Sequence, residues 1–394
     1  MEDDRAGIGG SHATPHLALL HVCMLLSGFG TVFLGPVLPA LAANAHATDS
    51  GSGLFFTAQF VGAFFGGMTT SKRLWFSLVR GSASAAIGFA ALGLCTQMHA
   101  APALDAAALL PLGYGVGQML TSVNLLASRR FVAGRGAALA RVNFSLSLGA
   151  VCAPFLLGWL LGSVPLGALL FAAAVVFALS CAAAIANALQ PGSLPMETGG
   201  DGVARMPWPA FVYFAALLLL YGGVETSLGG WITTFGTRYG SSTLRLSTLG
   251  ATALWVGMAA GRALAPVVLR RVTERTMLTG TLALAAALAG VLALSSGAPA
   301  IIGSSFALGI AMGPWFPLVL SAMISEGSSA GETGTIIAVS GLGAAALPLA
   351  VGAVSRGTGS LRVALMVPLA GLILLLVMSF RRARAGGLST AGGV

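Results

Sequence analysis

Stretch after stretch of apolar residues runs along this chain, separated only by short polar breaks, and each is long enough for a helix to cross the roughly 30 Å hydrocarbon core of a bilayer. In lipid a backbone N–H or C=O has no water to turn to, so a segment of this kind satisfies itself as a helix. Six such spans are predicted at 17–43, 54–71, 74–97, 104–128, 136–160 and 165–189, and six more at 209–236, 246–268, 276–295, 298–322, 333–355 and 360–380. The chain is therefore expected to be an all-α polytopic membrane protein with twelve transmembrane helices. Between the two sets lies a polar, Gly- and Pro-containing stretch, and the expected organisation follows: a cytoplasmic tail at 1–16, a six-helix bundle at 17–189, a linker at 190–208, a second six-helix bundle at 209–380 and a tail at 381–394.

Composition excludes the soluble alternatives. Only 8% of the 394 residues are charged and 56% are apolar, where a water-facing surface requires about 25% charge. The net charge of +9 comes from short basic runs between apolar segments and forms no arm or motif for nucleic acid. Cys23, Cys95, Cys152 and Cys181 lie inside apolar segments without metal or redox spacing and read as small packing residues. No metal or cofactor is expected. The first 16 residues lack the basic start and cleavage pattern of a secretory signal.

Lys and Arg concentrate in cytoplasmic loops. With a cytoplasmic N-terminus, the inner side receives 16 of the 20 basic residues and the outer side only Arg238, Arg245, Arg356 and Arg362. An even number of spans then returns the C-terminus to the cytoplasm, and the cytoplasmic (inner) membrane is the expected location. The halves also repeat. Gly149, Pro154 and Gly158 recur as Gly343, Pro348 and Gly352 at an offset of 194 residues, which also carries Gly115 onto Gly309. Repeated halves that rock about a central site are a recurring plan of secondary transporters, and two halves inside one chain make a monomer the expected state.

Phosphate loops, zinc-helix motifs and nucleophile elbows are absent, so neither an enzyme nor an ATP-driven pump is indicated. The chemistry resides in a few polar groups within the spans. Glu225 stands near the middle of span seven, where an acidic group is a functional candidate by default; the alternative is a protonated clip between helices. Tyr221 is four residues earlier on the same face, with glycines around both. Trp231 lies about 9 Å further along and offers an aromatic platform for a sugar or an interfacial anchor. In span four Tyr114, Gln118, Thr121 and Asn124 fall on one stripe, and such amides and hydroxyls suit a neutral polyhydroxy solute or a neighbouring helix. Gln59 and Asn143 are similar candidates. Pro314 and Pro317 should interrupt span ten, making Trp315 a cavity wall or part of a kinked packing contact. Arg141 and Arg262, near cytoplasmic ends, are expected in gating roles, with Glu274 a candidate acidic partner in an inner salt bridge; ordinary orientation charge is the competing account.

These stretches resemble the major facilitator superfamily, and within it the fucose/galactose/glucose-type branch of proton-coupled sugar symporters and related sodium-dependent glucose transporters. The similarity is carried by GLFFTAQFVG at 53–62, GYGVG at 113–117 with Asn124, Asn143 with Gly149 and Pro154, YGGVETSLGGW at 221–231, WVGMAAGR at 255–262, and Gly309 with PWFP at 314–317. The resemblance implies that Gln59, Asn124, Asn143, Glu225 and Trp231 line or support a central cavity and that Arg262 belongs to an inner gate. Leu120 stands where the family often has an acid, and span one has none at depth. Glu225 would then carry the proton alone, or transport is uncoupled. The expected function is secondary transport of a small polar solute, a monosaccharide first, by alternating access. An exporter of amphipathic drugs or metabolites is the first alternative and a non-transporting receptor or scaffold the second.

Overall fold

The computed structural model describes residues 14–71, 73–130, 135–189, 206–241, 243–328 and 330–389. The core of the expected linker, 190–205, lies outside these residues, as do Arg5, Lys72 and Arg205. Among the described residues every regular element is a helix. The first group comprises α1 (Thr14–Val32), α2 (Leu34–Asn44), α3 (Asp49–Met68), α4 (Leu74–Gln97), α5 (Pro102–Arg130), α6 (Arg135–Leu160) and α7 (Leu166–Ala188). The second comprises α8 (Trp208–Tyr239), α9 (Leu244–Val268), α10 (Glu274–Leu294), α11 (Ala298–Met312), α12 (Trp315–Ser325), α13 (Ala330–Thr358), α14 (Leu361–Ala364) and α15 (Met366–Ser389).

Among the described residues ten spans are long and apolar enough to cross a membrane, and eleven when α1 and α2, bent by 46°, count as one. The twelfth expected span corresponds to α3, a 20-residue helix with Asp49, two serines, Gln59 and five glycines. It packs between α5 and α13, which accounts for its polarity: little of it has to be apolar toward lipid.

Prolines set the two breaks. Pro36 has no N–H for the Val32 carbonyl and its ring crowds that carbonyl, so span one bends between Val32 and Leu34 instead of running straight as the sequence suggests. Span ten breaks as expected: α11 ends at Met312 and α12 begins at Trp315, with Pro314 as its N-cap. Capping fixes other starts, with Thr48 accepting from Gly51 N and Thr273 from Thr276 N.

Within the first group α3 and α4 pack on α5, α4 on α7 and α1 on α6; within the second α13 packs on α8, α11 on α9, and α10 on α11 and α15. Glycine permits these approaches. A Cβ at Gly149 would lie 1.9 Å from Leu25 O and one at Gly343 1.7 Å from Leu219 O, so the repeat offset of 194 holds even for the partner residues. It fails in span four. Gly309 meets Leu254 O of α9, but Gly115 meets α4; the glycines that meet α3, in the way Gly309 meets α9, are Gly113 and Gly117.

Three seams join the groups: α3 with α13, α6 with α9, and α2 with α8. They are tight at one end, here named for Asp49. There a Cβ at Gly352 would sit 2.3 Å from Asp49 O, one at Gly53 2.8 Å from Leu349 Cα and one at Gly158 1.9 Å from Thr248 Oγ1, and nearer mid-depth, one turn from Glu225, one at Gly35 would sit 2.7 Å from Gly229 O. Toward the opposite end the α3–α13 seam relaxes, since a Cβ at Gly341 would find nothing nearer than 3.9 Å.

Candidate functional site

The break in span ten organises the polar centre. Pro317 has no N–H to give the Gly313 carbonyl, which is left without its helical donor. Arg262 Nε of α9 supplies one at 3.3 Å. The neighbouring carbonyl, Met312 O, accepts from Tyr221 Oη at 3.2 Å, and the Tyr221 ring stacks on Trp315 with centroids 4.3 Å apart. Tyr221 and Trp315 are thereby fixed, 2% and 1% exposed.

Arg262 also reaches across the seam, donating from Nη1 to Ser147 Oγ of α6 at 3.2 Å. Ser147 is one helical turn from Asn143 and donates to its carbonyl. Asn143 Nδ2 donates in turn to Asn124 Oδ1 of α5 at 3.0 Å. A continuous polar track therefore runs through α5, α6, α9 and α8. Glu225, half-buried on α8, lies within the electrostatic reach of Arg262, yet no hydrogen bond or ion pair joins its carboxylate to another described residue. Asn143 Oδ1 is likewise without a partner among the described residues. The track can offer a carboxylate, a guanidinium and two amides to a polar solute.

Asn124, Asn143, Tyr221, Glu225 and Arg262 thus come together, with Trp315 against Tyr221. Other candidates are placed elsewhere. Gln59 is 1% exposed and donates to Gly30 O at 2.9 Å and Thr31 O at 3.2 Å, bracketing the chain just before the bend in span one. Tyr114 and Gln118 join a different cluster: Arg80 Nε donates to Gln118 Oε1 at 3.0 Å and Arg80 Nη2 to Thr69 O at 2.8 Å, while Thr69 Oγ1 donates to Tyr114 Oη at 2.9 Å. Thr121 bonds Gly117 O of its own helix. The span-four stripe is divided because α3, α4 and α6 all pack on α5, and α3 and α4 meet alternate residues of the same stretch, Gly113 and Gly117 against α3 and Gly115 against α4. Trp231 is fully buried, with Nε1 on Pro348 O at 3.2 Å; it fastens α8 to α13 and presents no open face. Arg141 is exposed, without a partner among the described residues. Glu274 makes no ion pair with Arg270, Arg271 or Arg275; it is the first-turn acid of α10, where it complements the helix dipole.

Sequence reasoning also missed a cluster that the fold assembles at the Asp49 end. Arg238 of α8 grips Asp49 of α3 in a bidentate pair, Nη2 to Oδ1 at 2.5 Å and Nη1 to Oδ2 at 2.7 Å, and Ser355 Oγ of α13 donates to Oδ2 at 2.5 Å. Trp159 of α6 lies under the Arg245 guanidinium of α9, 3.2 Å from the ring centroid. Beside the ion pair is a cavity of about 450 Å³, walled by α2, α3 and α8 and lined by Pro39, His46, Ser52 and Thr234 among others. The only signal in the sequence was an acid at a span start, Asp49, and a basic residue, Arg238, on the side poor in positive charge.

Residues 20–339 match the family model described as Major Facilitator Superfamily. No curated protein matches the chain. Among solved structures, a bacterial homologue of the human lysosomal transporter Spinster, in an inward-facing and unoccupied conformation, is similar at TM-score 0.73 and 14% identity, covering 95% of this chain and 98% of that one. The E. coli fucose:proton symporter FucP is similar at TM-score 0.61 and 16% identity, covering 94% and 99%. The nucleoside transporter NupG, in a single-residue mutant form, is similar at TM-score 0.70 and 12% identity, covering 93% and 98%.

Proposed function

The chain belongs to the Major Facilitator Superfamily, and from that premise we propose that it is a secondary active transporter moving a small polar solute, a monosaccharide first, across the cytoplasmic membrane by alternating access. It acts as a monomer with both termini in the cytoplasm. The Lys/Arg bias supports that orientation, which makes the Asp49 end the outer one and the conformation described here inward-facing. The two bundles, 17–189 and 209–380, rock about the polar track between them.

One observation carries the reading: the carboxylate of Glu225, midway along α8, has no hydrogen bond or ion pair among the described residues although Arg262 is near. A structural clip would be bonded. A group left free at such depth is available to a solute hydroxyl, a proton or both in turn. The remaining valence of Asn143 across the track supplies a second polar contact from the other bundle, so that a bound solute touches both halves and biases their closure. Fucose:proton symport by FucP supports the solute class and the coupling ion.

The test is reconstitution in vesicles with neutral sugars, acidic sugars, nucleosides and lipophilic cations, each with and without a pH gradient. A neutral sugar is expected to accumulate with the gradient. Glu225→Gln is expected to insert and to retain solute exchange at equal concentration while losing gradient-driven accumulation. Accumulation that is unchanged in the Gln variant across pH removes Glu225 as the proton carrier, and transport of lipophilic cations alone replaces the sugar with an amphipathic solute.

A further inference from the structure

The cavity beside the Asp49–Arg238 pair lies between the bundles. Helices α2 and α8 both run toward the Asp49 end and touch where Gly35 meets Gly229 O. About one turn further along each, at Pro39 and Thr234, they have parted around a space of about 450 Å³, within the roughly 300–1,000 Å³ of ordinary small-molecule sites. The lining is divided by helix: Leu38, Pro39 and Ala42 of α2 form an apolar wall, while Ser52 of α3 and Thr234 and Thr237 of α8 supply hydroxyls. Ser52 is 2% exposed and Thr234 7%, and neither hydroxyl has a hydrogen-bond partner among the described residues. Buried hydroxyls are ordinarily bonded. Two left open on the wall of one cavity mark where the oxygens of a ligand would complete them.

We propose that this cavity is a second solute site, which takes a neutral monosaccharide from the Asp49 end and, while occupied, keeps that end closed. The charges at the site are already matched, since both Asp49 oxygens are held by Arg238 and one of them also by Ser355. Apart from that pair, His46 is the only ionisable residue of the described lining, so a charged ligand finds little to pair with. A wholly apolar ligand would leave Ser52 and Thr234 unbonded. A sugar meets both demands: its hydroxyls donate to and accept from Ser52 and Thr234, Thr237 Oγ1 accepts while its own proton goes to Thr234 O, and a C–H face lies on the α2 wall.

The walls themselves couple the site to the conformation. Helices α2 and α3 belong to the first bundle and α8 to the second, so parting the bundles at this end takes the site apart, and a ligand that needs both walls binds the closed form alone. Occupancy lowers the open population by one plus the ratio of the sugar concentration to Kd, about tenfold at roughly nine times Kd. The placement of the cavity on the outer side rests on the transport reading above, and in that orientation a sugar abundant outside slows its own entry. Binding and closure do not depend on that orientation.

The experiment uses the full chain in lipid nanodiscs, where both sides are accessible, with Cys23, Cys95, Cys152 and Cys181 replaced by alanine. One reporter cysteine is placed at Ser52, in the cavity, or at Thr248, which is 1% exposed in the α6–α9 seam at the same end and does not line the cavity. Glucose, galactose, mannose and fucose are titrated singly, with glucuronate as the charged control. At least one neutral sugar is expected to slow labelling at both positions, about tenfold at roughly nine times its half-effective concentration. With the Thr248 reporter, Ser52→Ala and Thr234→Val should each raise that concentration by roughly three- to tenfold while leaving the sugar-free rate nearly unchanged. Glu225→Gln, which alters the central track and not this cavity, should leave the protection as it is. Protection by none of the four neutral sugars, equal protection by glucuronate, or protection that both hydroxyl variants leave unchanged overturns the proposal. Protection that vanishes in Glu225→Gln and survives in both hydroxyl variants puts the sugar in the central track, which removes the second site and keeps the transport reading.

Discussion

The two ends of the molecule join the same pair of bundles in different ways. At the Asp49 end the α3–α13 glycines bring backbone against backbone, as Gly35 and Gly229 do nearer mid-depth, Gly158 of α6 abuts the Thr248 side chain of α9, and a bidentate ion pair with a serine on its second oxygen locks α3 to α8 and α13. Toward the Arg262 end, the bundles are joined across the α6–α9 seam, among the described residues, by one guanidinium–hydroxyl bond at 3.2 Å. Packing without voids is strong but unforgiving, whereas a single hydrogen bond contributes only about 0.5–1.5 kcal/mol net. A transporter must break each end in turn. The difference teaches that the conformation described here is held shut from one side, and that the cost of switching lies mainly in parting the glycine seams and the ion pair.

The sharpest way to break this asymmetry is steric. In Gly352→Ala the new Cβ would lie 2.3 Å from the Asp49 carbonyl oxygen, a backbone atom that cannot rotate away. Overpacking of this kind costs about 1–3 kcal/mol, and here the strain is present only when the end is closed. Labelling of a cysteine at Ser52 should rise by roughly ten- to a hundredfold; an unchanged rate would mean that the seam yields without opening. Arg238→Ala comes next. Its side chain is 38% exposed, so solvent screening reduces the pair to about 1 kcal/mol and the same labelling should rise by roughly fivefold. The double variant with Asp49→Ala should add little beyond either single change, and full additivity would show that the two residues act apart. Smaller again is Trp159→Ala, which removes an exposed cation–π contact with Arg245 worth about 0.5–1 kcal/mol; a two- to threefold rise in labelling is expected, on the order of that energy.

How much of this was legible in the sequence depends on what each feature needs. Span positions follow from apolar length, and the break at Pro314 from the missing N–H, because both are local. Pro36 carried the same local signal, yet the bend it makes in span one was not foreseen. The repeat was readable where the glycine spacing mirrors the contact, at Gly149 and Gly343, but alignment by residue type misled at Gly115, whose neighbour is α4 and not α3. The site was only half legible. A polar residue inside a span announces that it needs a partner without saying which one: Gln59 and Gln118 found theirs in backbone and in Arg80, while Asn124 and Asn143 found each other. The Asp49–Arg238–Ser355 cluster joins residues 189 and 306 positions apart, and nothing in any one of these segments points to the others.

The smallest prediction tests the loose end directly. Ser147→Ala leaves Arg262 bonded to Gly313 O but removes its tie to α6. Because that tie is made in the conformation described here, its loss should weaken this conformation and raise the labelling at Ser52, by no more than about threefold for a bond of roughly 0.5 kcal/mol. If labelling falls instead, the tie is stronger in the opposite conformation, and Arg262 would belong to closure of its own side and not to the arrangement described here.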